Sequence, residues 1–498
     1  MIFVRTTVAL LACLLAGAPA GCSGGGSGRF SGEPAKVIND TLQPPTRRAD
    51  AVRVYWDSLE PEQKPREADA LRQVYWRPTT PAPLRLAIAE TIGRDPDPEV
   101  SEHAKALFRL SLPHESERDV IEAVSGVIAD RDWTELTTTL VRTMSRSRAE
   151  GPERERAEAK ALQRLHPNRS LEQIVFVQFL RPTVHPDDEA TMRGVDLRRR
   201  FRTEAWDLLA RLDPGGAQRR TMLAEIPADV DPMVEAVSAV VGTFGVLPET
   251  GMEIRWAETM RAGDARQRRW WEDAEAAHAS LSDEQRRGFA MRHIEPVRWA
   301  KEHRPEWLSK GRSALYAELE SRLRGRQVYV RTATRIHSDG PNRERLSDWR
   351  DRLLWGDLLA ILIADEALKD PGVRRELYRQ AEADRADTTT EYGGTLDADG
   401  QAFRAQLYVP RPSERLGDRA FVASEEMLAN SARSLIHYHM HVQQPSQAAY
   451  AGPGREDLVY AARSGRTCMV FTSVDRGRLN ADIYFPHGAV VDLGLVDD

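Results

Sequence analysis

The sequence predicts a multidomain protein in which a large all-α region precedes a compact α/β domain. Between residues 34 and 345, apolar residues recur at a spacing near 3.6 in segments rich in Ala, Leu, Glu and Arg. Roughly the last 110 residues instead carry short apolar runs typical of strands, with a helix among them. The chain has 498 residues, of which 41% are hydrophobic and 29% charged, and this composition excludes global disorder.

The N-terminus predicts an export signal. Residues 1–21 carry one charge, a short apolar run and then small residues up to Cys22, and the run is too short to span a bilayer. The end of this segment resembles a bacterial lipoprotein processing site, which implies a lipidated Cys22 followed by a flexible tether over residues 22–33. We therefore expect an exported lipoprotein of the bacterial cell envelope, facing the periplasm or the cell surface and held to the membrane by its lipid alone. An ordinary cleaved signal is the alternative.

The charge and the cysteine content limit which partners and which metal ligands the protein can have. The net charge of −6 comes from 70 Lys and Arg against 76 Asp and Glu, and this balance argues against nucleic acid as a partner. Of the three Cys, processing would remove Cys13 and acylate Cys22, which leaves Cys468 as the one thiol. An intramolecular disulfide and a Cys-based zinc cage are then excluded, so any zinc must be held by His and carboxylate groups.

The helical region, residues 34–345, is predicted from periodicity and from its turns. Asp-Pro pairs at Asp97, Asp231 and Asp370 predict capped helix starts. A helix about every 16–20 residues between 80 and 145 resembles HEAT repeats weakly, and an irregular helical domain is the alternative. Such a region could bind a protein partner. The clearest predicted helices cover residues 84–93, 100–110, 120–129, 136–144, 201–212 and 233–241.

The C-terminal domain is predicted to span residues 346–498 and to begin with helices. Just before it, residues 328–337 alternate and are β-branched, which predicts a lone strand or hairpin arm followed by a turn at 338–342. A helix is predicted over residues 455–463. The predicted strands of the domain cover residues 391–396, 402–409, 434–441, 467–474, 479–484 and 489–493.

Alternating histidines on one of these strands predict a metal site. Residues i and i+2 of a strand point to the same side, so His437, His439 and His441 bring imidazoles together. Asp457, at the start of the predicted helix, could return a carboxylate to them. Two His, one Asp and a water make a tetrahedral zinc site with one exchangeable position, which is the catalytic pattern. Glu391, which begins a strand before a glycine pair, is the candidate general base.

These residues resemble the motifs of the JAMM (JAB/MPN) metallopeptidase family. The family carries a Glu on its first strand before a Gly-rich turn, Tyr-His-x-His on a later strand, and Ser-x-x-Asp at the start of a helix. The matching positions are Glu391-Tyr392-Gly393-Gly394, Tyr438-His439-Met440-His441 and Gly454-Arg455-Glu456-Asp457. The resemblance covers roughly residues 385–495 and keeps the order of the motifs.

The resemblance implies an α/β domain with a mixed sheet and a Zn²⁺ ion held by His439, His441 and Asp457. It also implies that Glu391 acts as the general base. The Tyr of the motif sets the register, so His437 falls outside it. The residues expected around the ligands rather than among them are His437, Tyr438, Ser446 and Gly454.

The sequence departs from the family pattern at three places. Gly454 stands where the family has a Ser whose hydroxyl supports the oxyanion, and losing one such donor can cost about 3 kcal/mol of transition-state stabilisation. A backbone N–H, Ser446 or Tyr450 could substitute. Val442 replaces the Pro that follows the second His, and the loop 442–456 is longer than the common form, which predicts a mobile loop over the site.

The sequence thus predicts a zinc-dependent peptidase or isopeptidase of the bacterial envelope that acts on a protein or peptide substrate. The alternative is a non-catalytic envelope lipoprotein scaffold, with a helical protein-binding region and a degenerate, structural metal site. A second alternative is another hydrolase such as a zinc deaminase, and the absence of the Cys ligands and of the associated motif argues against it.

Overall fold

The computed structural model describes residues 33–146, 151–191, 195–261, 263–336, 340–417, 421–475 and 477–496. The predicted signal, Cys22 and nearly all of the predicted tether lie outside these residues. The chain divides into two compact units, Met1–Ala104 and Lys105–Asp498. Within the described ranges, no helix is both long enough and apolar enough to cross a membrane.

The first unit is helical. Its buried Trp56 donates an indole hydrogen bond to Asp95 Oδ2 at 2.8 Å, and the Lys64 ammonium contacts the same oxygen at 2.9 Å. Asp97 accepts from the backbone amides of residues 99 and 100, so it caps the following helix as predicted. The helices are α1 (Pro34–Asn39), α2 (Pro45–Asp57), α3 (Lys64–Tyr75), α4 (Ala82–Arg94) and α5 (Pro98–Ser111), the last of which continues into the second unit.

The second unit begins with a long run of helices. Asp231 caps its helix through the amides of residues 233 and 234, again as predicted. The helices before the sheet are α6 (Arg118–Asp130), α7 (Thr137–Arg146), α8 (Ala157–Leu165), α9 (Leu171–Leu180), α10 (Pro186–Thr191), α11 (Leu197–Leu212), α12 (Ala217–Ala224), α13 (Pro232–Phe244), α14 (Gly251–Arg261), α15 (Ala265–Ala279), α16 (Asp283–Arg286), α17 (Ile294–His303), α18 (Pro305–Leu308), α19 (Arg312–Leu323), α20 (Trp355–Ala367) and α21 (Pro371–Ala386).

The strand predicted at residues 328–337 is wrong over its described part, 328–336, which forms no strand. Its backbone amides are taken by side chains and by one loop carbonyl instead of by a neighbouring strand. Tyr329 N donates to Asp492 Oδ2 at 2.6 Å and Arg331 N to Glu344 Oε2 at 2.9 Å. The next two amides both donate to Ala449 O, at 2.9 and 2.8 Å. These contacts satisfy the hydrogen-bonding capacity of the backbone amides, so the segment forms no β-ladder despite its alternating β-branched residues.

A six-stranded mixed sheet forms the C-terminal part, as predicted. Its order is β2-β1-β3-β4-β5-β6, with β3 and β4 parallel and every other pair antiparallel. Parallel neighbours need a crossover, and a helix between β3 and β4 supplies it. The strands are β1 (Gly393–Asp399), β2 (Ala402–Leu407), β3 (Ile436–His441), β4 (Cys468–Asp475), β5 (Arg478–Tyr484) and β6 (Val490–Val496), and the helices among them are α22 (Glu425–Asn430) and α23 (Arg455–Ser464).

The two faces of the sheet have different coverings. On one face, Tyr438 and Met440 join a large apolar core with α20, and the Tyr438 hydroxyl donates to Gln380 Oε1 on α21 at 2.6 Å. This core also includes Trp299 of α17 and Leu315 of α19, so it draws on residues from both sides of position 345. The opposite face carries the alternating histidines and packs against α23 through a smaller apolar cluster.

Asp357, fully buried on α20, links that helix to the sheet. Its Oδ1 contacts His293 Nε2 at 2.8 Å and accepts from Arg292 Nε at 3.0 Å, and its Oδ2 contacts His487 Nε2 at 3.0 Å. Burial alone would raise the pKa of Asp357, but the Arg292 charge and the two histidine hydrogen bonds hold it well below the ordinary value. His487 lies in the turn between β5 and β6, as predicted, and its contact with Asp357 connects that turn to α20 and to the segment just before α17.

We expect Asp357→Asn to lower the free energy of unfolding by about 3–5 kcal/mol, because it leaves the Arg292 guanidinium, which is only 9% exposed, without its counter-charge. Thermal melting followed by circular dichroism measures the effect. Asp351→Asn, an exposed carboxylate in the same segment, is the control and should melt with the wild type. Equal melting temperatures for the two variants would contradict this assignment.

Glu253, buried on α14 near the end of α23, gives a pH-dependent prediction. Burial raises the pKa of Glu253 from 4.5 to about 7, although backbone amides of residues 249 and 250 bond to it. The folded state therefore holds a proton that the unfolded chain releases as the pH rises from 4.5 to 7, and stability falls over that window. Glu253→Gln should be more stable than wild type by about 2–3 kcal/mol at pH 8 and unchanged at pH 4.5.

The measurement is the difference in melting temperature between variant and wild type at the two pH values. Exposed Glu272→Gln on α15 is the control and should show no such difference. A Glu253→Gln effect that is the same at both pH values would show that the carboxyl is not protonated in the fold.

Candidate metal centre

The central strand β3 presents two histidines on the face away from the large core. His439 lies opposite Gly393 of β1 in the antiparallel register. A Cβ at Gly393 would collide with the Phe421 ring, so the glycine leaves room for that ring. Phe421 stacks on the His439 imidazole with centroids 5.3 Å apart and planes at 20°. The packing of β1, β3 and Phe421 therefore fixes the orientation of the His439 ring.

Asp457 reaches the histidines from the first turn of α23. The helix begins after Gly454, whose amide donates to Asp457 Oδ2 at 2.6 Å. A carboxylate in this position is stabilised by the free amides and by the dipole of the helix N-terminus. Asp457 Oδ1 lies 3.2 Å from His439 Nε2, and Oδ2 lies 3.6 Å from His441 Nε2. The two Nε2 atoms are 3.2 Å apart.

These three separations are similar to those between neighbouring ligand atoms of a bound metal ion. Zinc bonds of about 2.0–2.1 Å in a tetrahedron place neighbouring ligand atoms roughly 3.3–3.4 Å apart. The two imidazole nitrogens are 3.2 Å apart, Asp457 Oδ1 is 3.2 Å from His439 and Asp457 Oδ2 is 3.6 Å from His441, so each pairwise distance lies near that value, with a different carboxylate oxygen facing each histidine. Imidazole and carboxylate are also the donor types that zinc takes when no thiolate is present.

Glu391 completes the cluster from the residue pair that precedes β1. A carboxylate oxygen of Glu391 and a ring nitrogen each of His439 and His441 all lie within 4.8 Å of one another, and this Glu/His/His group could hold a metal ion. Gln443, just after β3, donates from Nε2 to Glu391 Oε1 at 3.1 Å. The next residue, Tyr392, donates its amide to Asp384 Oδ1 at 3.1 Å, which anchors this segment to α21.

The pKa shifts of the clustered side chains favour a positive charge at the candidate site. Burial, reinforced by the His439 charge, lowers the pKa of His441 to about 3, so its imidazole is neutral at neutral pH. Burial would lower the pKa of His439 as well, but Asp457 and Glu391 raise it above the ordinary value. Burial would raise the pKa of Asp457, yet the His439 charge and hydrogen bond bring it below the ordinary value. The carboxylates around His439 therefore favour a positive charge at the ligand cluster, and a bound metal cation would supply one.

The residues predicted around the ligands have separate roles. His437, buried on the same face, is hydrogen-bonded through Nδ1 to the Tyr460 hydroxyl at 2.8 Å. Tyr438 points into the core on the other face, and Ser446 donates to the Val474 carbonyl at 3.2 Å. Gly454 is the one of the four that bonds directly to a predicted ligand. Cys468 is a buried free thiol on β4, and burial raises its pKa, as expected for an inert cysteine.

The loop predicted to be mobile, residues 442–456, is held by its backbone. Gln447 N donates to Ser473 O at 2.7 Å. Ala449 O accepts from the amides of Thr332 and Ala333. Arg331 Nη1 donates to the carbonyls of Tyr450 and Gly452, at 2.9 and 2.8 Å. The irregular segment before the predicted domain thus fixes the loop that connects the histidines to Asp457.

Sequence reasoning missed several residues of the site. Arg331 lies before the predicted domain, in a stretch whose alternating pattern indicated a strand. It also has no fixed distance in sequence from the motifs. Phe421 lies between strands and likewise carried no signal. Gln443 could have been found, because it is a polar residue two positions after the second motif histidine, where a strand ends.

Four predicted site residues therefore lie together at one end of the sheet: Glu391, His439, His441 and Asp457. Their likeness to the JAMM motifs depends on their identity and their order in the sequence. Comparison with family models, with curated proteins and with solved structures finds no match to this chain.

Proposed function

We propose that the C-terminal sheet carries a JAMM-like zinc centre that hydrolyses an amide bond of a protein or peptide. The observation that supports this proposal most strongly is the approach of His439, His441 and Asp457 at zinc-like separations with a second carboxylate, Glu391, beside them. Three ligands and a neighbouring acid leave one position for the reacting groups, as in catalytic rather than structural zinc sites.

The residues divide the chemistry between them. His439, His441 and Asp457 would hold Zn²⁺, which when bound supplies Lewis acidity and a water of lowered pKa. Glu391 takes a proton from the attacking water and later delivers it to the nitrogen of the departing amine. Gln443 donates to Glu391 Oε1 and so keeps the carboxylate oriented toward the histidines. Phe421, stacked on His439, excludes water from one side of the ligand ring.

The rest of the chain suggests where the reaction takes place. The sequence of residues 1–33 favours export and a lipid on Cys22, which would keep the protein in the bacterial envelope. We propose that the helical region, whether HEAT-like or irregular, positions the zinc centre or binds a protein partner. The substrate would then be the tail of an envelope protein or another exported amide.

Purified protein is expected to contain about one zinc per chain, measured by elemental mass spectrometry, and His439→Ala should remove it because one of three ligands is lost. Zinc should also raise the melting temperature of the metal-free protein but not that of the variant. His114→Ala, an exposed histidine, is the matched control and should bind zinc as the wild type does. Wild-type protein that binds no zinc would rule out the metallopeptidase.

Glu391→Gln separates catalysis from metal binding. The amide keeps the size and one acceptor of the carboxylate but cannot take the proton of water, so hydrolysis of a fluorogenic peptide library should fall by about 10²–10⁴-fold. The zinc content should stay near one per chain, because Glu391 is not one of the three proposed ligands.

Zinc binding without hydrolysis in the wild type, together with unfolding of His439→Ala, would instead favour the scaffold with a structural metal. Loss of zinc from Glu391→Gln would show that Glu391 is a ligand, which would assign it a different role from the one proposed.

A further inference from the structure

Gly454 leaves an open position beside Asp457, and Arg331 lies next to it. A Cβ built at Gly454 would lie 3.4 Å from Asp457 Oδ2 and 3.6 Å from Arg331 Nη2. Both distances are ordinary van der Waals contacts, and the backbone φ of −82° suits any residue. A side chain at position 454 would therefore have its polar atom close to the Arg331 guanidinium. The chain has a glycine at this position and places a cation beside it.

Arg331 is held in place on three sides. Its backbone amide donates to the buried carboxylate of Glu344 at 2.9 Å, and its carbonyl accepts from Asn342 Nδ2 at 2.9 Å. Its Nε donates to Thr334 Oγ1 at 2.9 Å. Its Nη1 donates to the carbonyls of Tyr450 and Gly452. Because the backbone of Arg331 and two of its guanidinium nitrogens, Nε and Nη1, are held by hydrogen bonds, the third nitrogen, Nη2, has a defined position.

The charge of Arg331 acts on the predicted ligands. Burial lowers the pKa of Arg331, and the carboxylates of Asp457 and Glu344 oppose that shift. Neutral donors in this position would stabilise a developing negative charge by hydrogen bonding alone, whereas a guanidinium adds a full positive charge. The cation stands beside the carboxylate ligand, on the Gly454 side of the cluster.

We propose that Arg331 is a catalytic residue that stabilises the oxyanion, in place of a hydroxyl at position 454. This inference rests on the proposed amide hydrolysis. The water oxygen forms a bond to the carbonyl carbon, the carbonyl π electrons move to its oxygen, and the proton of the water passes to Glu391. Arg331 Nη2 donates to the negative oxygen. When the C–N bond breaks, its electron pair leaves with nitrogen, which receives the proton from Glu391, and a carboxylic acid and an amine result.

A cobalt-substituted protein gives a test that needs no substrate. Cobalt in a tetrahedral site absorbs visible light, and its spectrum changes when inorganic phosphate, a tetrahedral anion, binds beside it. We expect Arg331→Gln to weaken phosphate binding at least tenfold, while the cobalt content stays at the wild-type value. Arg331→Lys, which retains the charge, should remain within tenfold of the wild type. Arg335→Gln, an exposed arginine four residues away, is the matched control and should titrate as the wild type does.

Adding Gly454→Ser to Arg331→Gln tests whether Arg331 acts by donating to the bound anion or only by holding the loop in place. Arg331→Gln also removes hydrogen bonds to Tyr450 and Gly452, so a disordered loop could mimic the loss. Gly454→Ser in the Arg331→Gln background restores a donor without restoring those hydrogen bonds, and it should recover at least part of the phosphate affinity. With a peptide substrate, Arg331→Gln should lower kcat by about 10²–10³-fold with KM unchanged.

Three results would overturn the role of Arg331. The first is an Arg331→Gln variant that binds cobalt fully and binds phosphate within twofold of Arg335→Gln. This result would contradict the role of Arg331 but not the proposed zinc centre. The second is a raised KM with unchanged kcat, which would make Arg331 an anchor for a substrate carboxylate. The third is a wild-type protein that takes up neither cobalt nor zinc, which overturns the metallopeptidase and the Arg331 role together.

Discussion

The register of strand β3 is the constraint on which both the core and the site depend. Its neighbours β1 and β4 fix Tyr438 and Met440 on the side of α20, and His439 and His441 on the side of α23. A slip of one residue would exchange the two sets, because side chains alternate along a strand. The imidazoles would then enter an apolar core and the apolar side chains would face Asp457. Burial of the large core therefore also aligns the candidate metal ligands.

Rigid elements hold the ligands, and an irregular segment closes the site. The histidines come from the inner strand β3, near its end, and Asp457 comes from the first turn of α23. The loop between them carries no long helix or strand, and its position depends on the backbone of Thr332 and Ala333 and on the side chain of Arg331. Because the candidate ligands lie on a sheet and a helix and the loop between them is hydrogen-bonded, a metal ion that bound there would need little reordering of the chain.

Sequence patterns predicted the elements that leave a periodic or capping pattern within a short stretch of sequence. Periodicity and Asp caps located helices such as α4 and α13, and alternation located β3 with its histidines in the correct relative positions. The motif resemblance predicted that Glu391 and Asp457 lie beside these histidines. The segment 328–336 was mistaken for a strand because its amides are satisfied by Glu344, Asp492 and Ala449, contacts that form only in the folded chain. Arg331 was missed for the same reason.

The contribution of residues before position 346 has a consequence for dissecting the protein. A fragment of residues 346–498 would keep every motif residue, yet it would remove Trp299 and Leu315 from the core under the sheet. It would also leave the Asp492 carboxylate without the Tyr329 amide and the Ala449 carbonyl without its two donors. We therefore expect a fragment that folds with the candidate metal site intact to begin upstream of residue 346, at or before α17, which contributes Trp299 to this core.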